Sequence, residues 1–241
     1  MVFKDINSGF YIREKEGLYA GSFESVRRIS AENAIVESAM YNYDTGMGVK
    51  AANELTLKYA RESSGVLPVL HLLPNVYNAE SYTKTELKQI VQKNRCFFKV
   101  RPKKDACVFT DWMYGWIFSL LDESGTPLIV SLEEVDLSEA AAVKRDHPLL
   151  KLILTNTTQW LNRQYVQFTR TFPYVYIDTS NIIEYYGIEN IVNILGADRV
   201  LFGTGMPAKE PYDKIFQILY CDLSEEEKEL IAFRNFDALA I

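Results

Sequence analysis

The sequence predicts a single-domain α/β protein, a (β/α)8 TIM barrel over residues 1–241, and three observations carry that expectation. Short apolar runs rich in β-branched and aromatic residues alternate with longer segments of helical periodicity, and eight such runs can be counted. The length of 241 residues falls where α/β barrels of roughly 200 to 250 residues fold as one domain. Neither a Gly-x-Gly-x-x-Gly turn nor a Gly-x-x-x-x-Gly-Lys phosphate loop occurs, which removes the usual reason to prefer an open nucleotide-binding sheet.

The eight runs cover residues 3–7, 34–38, 67–72, 96–101, 127–132, 151–156, 174–178 and 199–203. Between them lie helical patterns such as 49–60, where Ala52, Leu55 and Tyr59 share a face, and 111–121. Thr85, Asp111 and Ser138 can cap the helices that follow them, and Ser224 with Glu227 three residues on has the spacing of a capping box. Gly196 ends a helix that begins near Glu184, and Gly46 and Gly48 permit the turn into the helix after the second strand. Residues 9–31 are the least regular connection. They are expected to form a long loop over the barrel mouth, a candidate lid, with a short helix from Ser22 to Ile29.

Composition excludes several classes. Lys and Arg number 26 against 32 Asp and Glu, and the net charge of −6 offers no overall attraction to a phosphate backbone, so nucleic acid is not expected as a partner. No apolar stretch approaches the roughly 20 residues needed to cross a bilayer, and no secretory leader is visible, so the expectation is a cytoplasmic protein without a membrane partner. Cys96, Cys107 and Cys221 are odd in number and lack Cys-x-x-Cys spacing, which suggests neither a disulfide framework nor a zinc knuckle. The run from Glu225 to Glu229 reads as a solvated helix face.

The segment Leu195-Gly-Ala-Asp-Arg-Val-Leu-Phe-Gly-Thr-Gly-Met-Pro207 resembles the last-strand signature of the amidohydrolase-related (amidohydrolase 2) family, Gly-x-Asp-Arg followed by two hydrophobic residues and Phe-Gly-Thr-Asp-x-Pro. Residues 148–156 resemble that family's approach to strand six, Val175-Tyr-Ile-Asp-Thr-Ser180 its strand seven, and Asp5-Ile-Asn-Ser-Gly9 stands where an Asp-x-His-x-His start would be. The resemblance implies a barrel of the metal-dependent hydrolase type. In such barrels a divalent metal such as zinc is held at the C-terminal mouth by histidines of strands one, five and six and an aspartate of strand eight, and it activates a water. Carried over, those positions are Asn7 and Gly9, Ser131, Asn156 and Gly205. None is an imidazole or a carboxylate, so the expectation is no metal and no other cofactor.

Other residues can still line the mouth, because alternate strand residues face the barrel interior and the C-terminal strand ends carry the site. Phe97, Lys99 and Arg101 share one face of strand four. Lys99, with Arg101 beside it, is a candidate anchor for a substrate carboxylate or phosphate, and the plainer reading is an ion pair with Asp5 or Glu133. Ser131 and Glu133 follow on strand five by the same alternation. Asp178 at the end of strand seven is a candidate general base, or else a backbone cap or ion-pair partner. Thr204 and Gly205 extend strand eight. His71 near the end of strand three is a candidate ligand contact, and His147 before Pro148 reads as a surface or capping residue. Tyr41, Tyr43, Trp112, Tyr114 and Trp116 can form an aromatic wall or simply fill the core.

Three functions fit these residues. The favoured one is a relative of the metal-dependent hydrolases that binds a small anionic molecule at the mouth without metal-activated water. The second is a hydrolase or lyase with metal-independent or weakly metal-assisted chemistry, in which Asp178 or Glu133 is the base and Lys99 or Arg101 stabilises charge. The third is a non-enzymatic interaction protein, with exposed aromatic residues pairing subunits into a homo-oligomer.

Overall fold

The structure is a computed structural model and describes residues 1–74 and 80–240. Eight parallel strands follow one another in chain order around a barrel: β1 (Phe3–Phe10), β2 (Ile35–Asn42), β3 (Val66–His71), β4 (Phe97–Val100), β5 (Leu128–Ser131), β6 (Leu152–Thr155), β7 (Val175–Asp178) and β8 (Val200–Leu201). Ladder pairing runs from β1 to β8 without a crossover. The seam between β8 and β1 is closed by two backbone bonds, Ile6 N–H to the Phe202 carbonyl and Gly205 N–H to the Asn7 carbonyl, each 2.9 Å. The eight predicted runs are the eight strands. The first two extend beyond the expected ends, because Ser8, Gly9 and Phe10 pair with Met40, Tyr41 and Asn42 after a bulge.

Eight helices alternate with the strands: α1 (Phe23–Glu32), α2 (Val49–Glu62), α3 (Lys84–Lys93), α4 (Asp111–Ser124), α5 (Leu137–Asp146), α6 (Asn162–Thr171), α7 (Gly187–Leu195) and α8 (Tyr212–Tyr220). Strand residues of one parity, among them Phe98, Val130, Leu154 and Ile177, pack outward against these helices. The other parity, Val69, Phe97, Ile129, Ile153 and Leu201, fills the barrel. The C-terminal segment, α9 (Glu225–Glu229), a π segment (Leu230–Arg234) and α10 (Asn235–Leu239), reaches that inner layer through Phe236 and Leu239. Lys4, which bonds Asp237, and Arg95, which donates to the Ala240 carbonyl, precede or begin strands, so this segment plugs the N-terminal end of the barrel. The opposite end is left for the site.

Local signals differ in how well they mark the helix ends. Ser224 and Glu227 form the reciprocal capping box the spacing predicts. For α3 the cap is Thr83 with Glu86 rather than Thr85, since only Thr83 has a glutamate at the third helical position. Asp136, not Ser138, stands at the N-cap of α5, and Thr110 stands at that of α4 with Asp111 as its first helical residue. Gly196 ends α7, which starts at Gly187 rather than near Glu184. The Asp-Arg step before β8 has a mechanical use in this chain. Arg199 donates to the carbonyls of Val175, Thr169 and Phe172, tying β7 to the end of α6.

The 9–31 connection is more ordered than its sequence suggests. Gly9 and Phe10 belong to β1, and Tyr11 bridges Ser22. Tyr19 and Ala20 donate their N–H groups to the Pro207 carbonyl, which lays the loop beside the segment after β8. The Ser22 hydroxyl caps α1, which extends to Glu32.

Candidate functional site at the barrel mouth

A cavity of about 290 Å³ opens at the C-terminal ends of the strands. Asn7 of β1, Lys99 of β4 with Arg101 just after it, Ser131 of β5 with Glu133 in the turn that follows, Asn156 just after β6 and Gly205 after β8 all line it. The positions carried over from the family pattern thus meet in one place, apart from Gly9. A Cβ on Gly9 would lie 2.2 Å from Cε2 of Tyr43, whose ring fills the space a side chain there would need.

Alternation delivers most of these residues, and a backbone break delivers one more. Asn156 has φ of 55°, so its side chain leaves the outward course of its parity and turns to the mouth. Its amide donates to Ser131 Oγ (2.9 Å) and Glu133 Oε2 (3.3 Å), and its Oδ1 accepts from Asn181. Asn7 is fixed as firmly. Its amide hydrogens go to Asp178 Oδ2 (2.9 Å) and Ser180 Oγ (3.1 Å), which leaves Oδ1 as the group it can offer to the cavity.

Asp178 and Thr204 lie beneath this floor and do not line the cavity. Asp178 is fully buried, and burial raises its carboxyl above the ordinary range against hydrogen bonds from Ser180 and Asn7. Its Oδ1 has no partner among the described residues. Thr204 instead holds Asp5, whose carboxylate accepts from the Thr204 hydroxyl and N–H and from the Asn7 N–H. Burial pushes Asp5 up to about 6.

His71 faces a different cavity, of about 550 Å³, between the start of α2 and the turn after β4. Its Nε2 is 2.6 Å from Asp105 Oδ2, and Arg101 pairs with the other oxygen of Asp105 at 2.9 Å while also donating to Thr45. Arg101 forms the wall between the two cavities. Burial holds His71 below its ordinary value despite Asp105. His147 occupies the C-cap position of α5, buried, with Nε2 2.8 Å from Asp111. Of the expected aromatic wall only Tyr43 lines the mouth; Tyr114 is in the outer core and Trp112 is exposed.

The strand pattern misses several lining residues, namely Tyr11, Leu18, Lys104, Glu134, Pro207 and Lys209. They come from loops or rims, where the two-residue period no longer applies. With them the mouth holds four cations, Lys99, Arg101, Lys104 and Lys209, against two carboxylates, Glu133 and Glu134. Three of the cations are engaged. Arg101 is paired with Asp105, Lys104 lies 3.8 Å from Glu134, and Lys209 donates to the Ser180 carbonyl and to Asn181. Lys99 is not. Its ammonium stands 5.0 Å from the ring centre of Tyr41 and 5.7 Å from that of Tyr43, with no hydrogen-bond or ion-pair partner among the described residues, and neither Asp5 nor Glu133 reaches it. Burial lowers Lys99 to about 8, opposed by Asp178 and assisted by Lys104 and Arg101.

Among the described residues no group of three His, Cys, Asp or Glu side chains is gathered in a way that could hold a metal ion, and no helix is long and apolar enough to cross a membrane.

A barrel of eight parallel strands with its polar residues gathered at the C-terminal mouth is the architecture of the amidohydrolase superfamily. The profile of the Amidohydrolase family matches residues 22–235, and the chain belongs to that family. No curated protein sequence matches it. Among solved structures it is similar to 5-carboxyvanillate decarboxylase from Sphingomonas paucimobilis (12% identity, 99% of this chain and 98% of that one, TM-score 0.75). It is also similar to 2,6-dihydroxybenzoate decarboxylase from Rhizobium (12% identity, 99% and 98%, TM-score 0.75). A third is a dihydroxybenzoic acid decarboxylase from Polaromonas with bound manganese and the inhibitor 2-nitroresorcinol (14% identity, 99% and 96%, TM-score 0.71). At these identities the likeness is one of fold.

Proposed function

We propose that this amidohydrolase-family barrel binds a small anionic molecule at its mouth and does not use the metal-bound water of its metal-dependent relatives. The donor chemistry supports the second half. Asn156 offers an amide committed at both ends, Asn7 a single free carbonyl oxygen, Ser131 a hydroxyl, Gly205 nothing, and Gly9 cannot carry a side chain beside Tyr43. Such a set does not fit zinc, which takes imidazole, thiolate or carboxylate ligands, and it holds no carboxylate at the carried-over positions to bind a harder ion such as manganese tightly. No step of the chemistry is therefore routed through a metal.

The observation that carries the first half is Lys99. A buried ammonium with no anion against it is costly, and an anion entering the cavity would supply the missing charge. Asn7 Oδ1, Glu133 and Glu134 would then select ligands that carry a hydroxyl or amino donor beside the anionic group. The exposed cluster of Ile183, Tyr185, Tyr186, Phe216 and Tyr220 near α7 and α8 supports a separate reading, self-association through that face, which leaves the mouth free.

Two measurements test the proposal. Elemental analysis of purified protein is expected to find far less than one zinc or manganese per chain, and a stoichiometric metal retained through purification would overturn the metal-free half. Inorganic phosphate is expected to raise the melting temperature of the wild type more than that of Lys99→Met. Equal shifts in both would reflect the general stabilising effect of phosphate and would sink the anion site.

A further inference from the structure

We infer that Lys99 is a nucleophilic amine that condenses with the carbonyl group of a small 2-oxo acid at the mouth, forming a Schiff base. The choice of an acid as partner rests on the anion-binding reading above; the nucleophile rests on the geometry of Lys99 itself.

Four cations line the cavity, and three are held by partners that fix their protons. Of these cations only Lys99 has its ammonium without a partner among the described residues, on an interior position of β4 with the rings of Tyr41 and Tyr43 nearby. Burial makes an amine surrender its proton more easily, and it outweighs the opposing charge of Asp178 here, so Lys99 sits at about 8 where an exposed lysine is at 10.5. A useful fraction is therefore the neutral amine near pH 7 to 8.

The surroundings match the two functional groups of a 2-oxo acid. Lys99 of β4 and Arg101 just beyond its end line the same cavity, so it offers an amine for the carbonyl and a guanidinium for the carboxylate of such an acid. Lys104, after β4, and Lys209, after β8, add positive charge at other points around the same cavity. Asn7 Oδ1 and Ser131 Oγ are within the same cavity and can hydrogen-bond the hydroxyl of the carbinolamine.

The step balances without an added oxidant or reductant. The lone pair of the neutral Lys99 amine forms a C–N bond as the carbonyl π pair moves to oxygen, and one nitrogen proton passes to that oxygen. The carbinolamine hydroxyl then takes a second proton, from solvent, and leaves as water as the freed nitrogen lone pair closes the C=N bond. The product iminium keeps a positive charge where the ammonium stood, so the cationic cavity remains complementary to the carboxylate.

The test is reductive trapping of the full-length protein with pyruvate and sodium cyanoborohydride, followed by peptide mapping. The expected result is a carboxyethyl group on Lys99 at least tenfold above any other lysine, with incorporation at position 99 abolished in Lys99→Arg. Label spread over surface lysines with no enrichment at Lys99 would overturn the inference. A parallel arm uses propanal, which has no charge. Labelling by propanal but not pyruvate overturns the oxo-acid assignment together with the anion reading. Lys99-dependent stabilisation by phosphate with no trapping by either carbonyl overturns the nucleophile and leaves anion binding standing.

Discussion

The two sides of the barrel mouth are built differently. On the β1, β7 and β8 side most polar groups are spent on the protein, with Ser8 Oγ and Asp178 Oδ1 the buried exceptions among the described residues. Asp5 takes three donors, Asn7 spends its amide on Asp178 and Ser180, and Thr179 exchanges hydrogen bonds with Gly203. On the β2, β3 and β4 side groups are left over. Lys99 has no partner among the described residues, and Tyr41 Oη, His71 Nδ1 and Arg101 Nε are buried without one. A nearly complete network holds the β8–β1 seam shut, while the β2–β4 side keeps the one cation of the mouth without a partner among the described residues. On the function proposed above, stability and recognition are divided between the two sectors.

The largest expected effect tests the saturated sector. Asp5→Ala removes the acceptor of Asn7 N–H, Thr204 N–H and the Thr204 hydroxyl, all buried. Orphaned buried donors cost roughly 1–3 kcal/mol each, so the substitution is expected to destabilise by about 4 kcal/mol in urea unfolding. A loss below 1 kcal/mol would show that the seam is not held by this network. Asp5→Asn is milder and gives a pH readout. The folded-state value near 6 lies above the unfolded 3.8, so the folded state binds the extra proton and wild-type stability falls as pH rises from about 4 to 6. Asp5→Asn is expected to flatten that slope.

A smaller effect probes the boundary between the sectors. Gly9→Ala would bring a Cβ to 2.2 Å from the Tyr43 ring and 2.8 Å from the Tyr41 carbonyl oxygen. The ring can yield only by entering the cavity it lines, so a loss of about 2–3 kcal/mol is expected. Adding Tyr43→Ala should recover part of it in a double-mutant cycle. If the single substitution is neutral by thermal melting, the closed first-strand position loses its force as an argument against a metal.

How much of this was legible in the sequence depends on which period is being read. The two-residue alternation placed Lys99, Arg101, Ser131 and Glu133 on the interior, and all four line the mouth. It could not give depth along the barrel. Asp178 has the interior parity of Tyr176 but ends below the cavity floor, bound to Asn7, while Thr204 follows the outward parity of Val200 and Phe202 and holds Asp5 instead. His71 was drawn into the neighbouring cavity by Asp105, a turn residue whose position no strand pattern predicts. Lys104, Leu18 and Lys209 belong to loops whose course is set by tertiary bonds such as Tyr19 N–H to the Pro207 carbonyl. The cap of α3 was misplaced by two residues because two threonines compete there and only one has Glu86 at the right spacing.

The smallest effect has the opposite sign and tests the unspent sector. Lys99→Met replaces a buried, unpaired ammonium by an apolar side chain of similar length, and removing such a charge is expected to stabilise the protein by about 2 kcal/mol at pH 7. The pH dependence fixes the cause. Lys99 titrates near 8 in the folded protein and at 10.5 when unfolded, so between those values the unfolded chain binds more protons and wild-type stability rises with pH. The advantage of Lys99→Met is therefore full below pH 8 and shrinks towards zero by about pH 10.5, as chemical denaturation across that range would read. A destabilising substitution with no such trend would mean that Lys99 already has its counter-charge inside the protein, and the contrast between the two sides of the mouth would disappear.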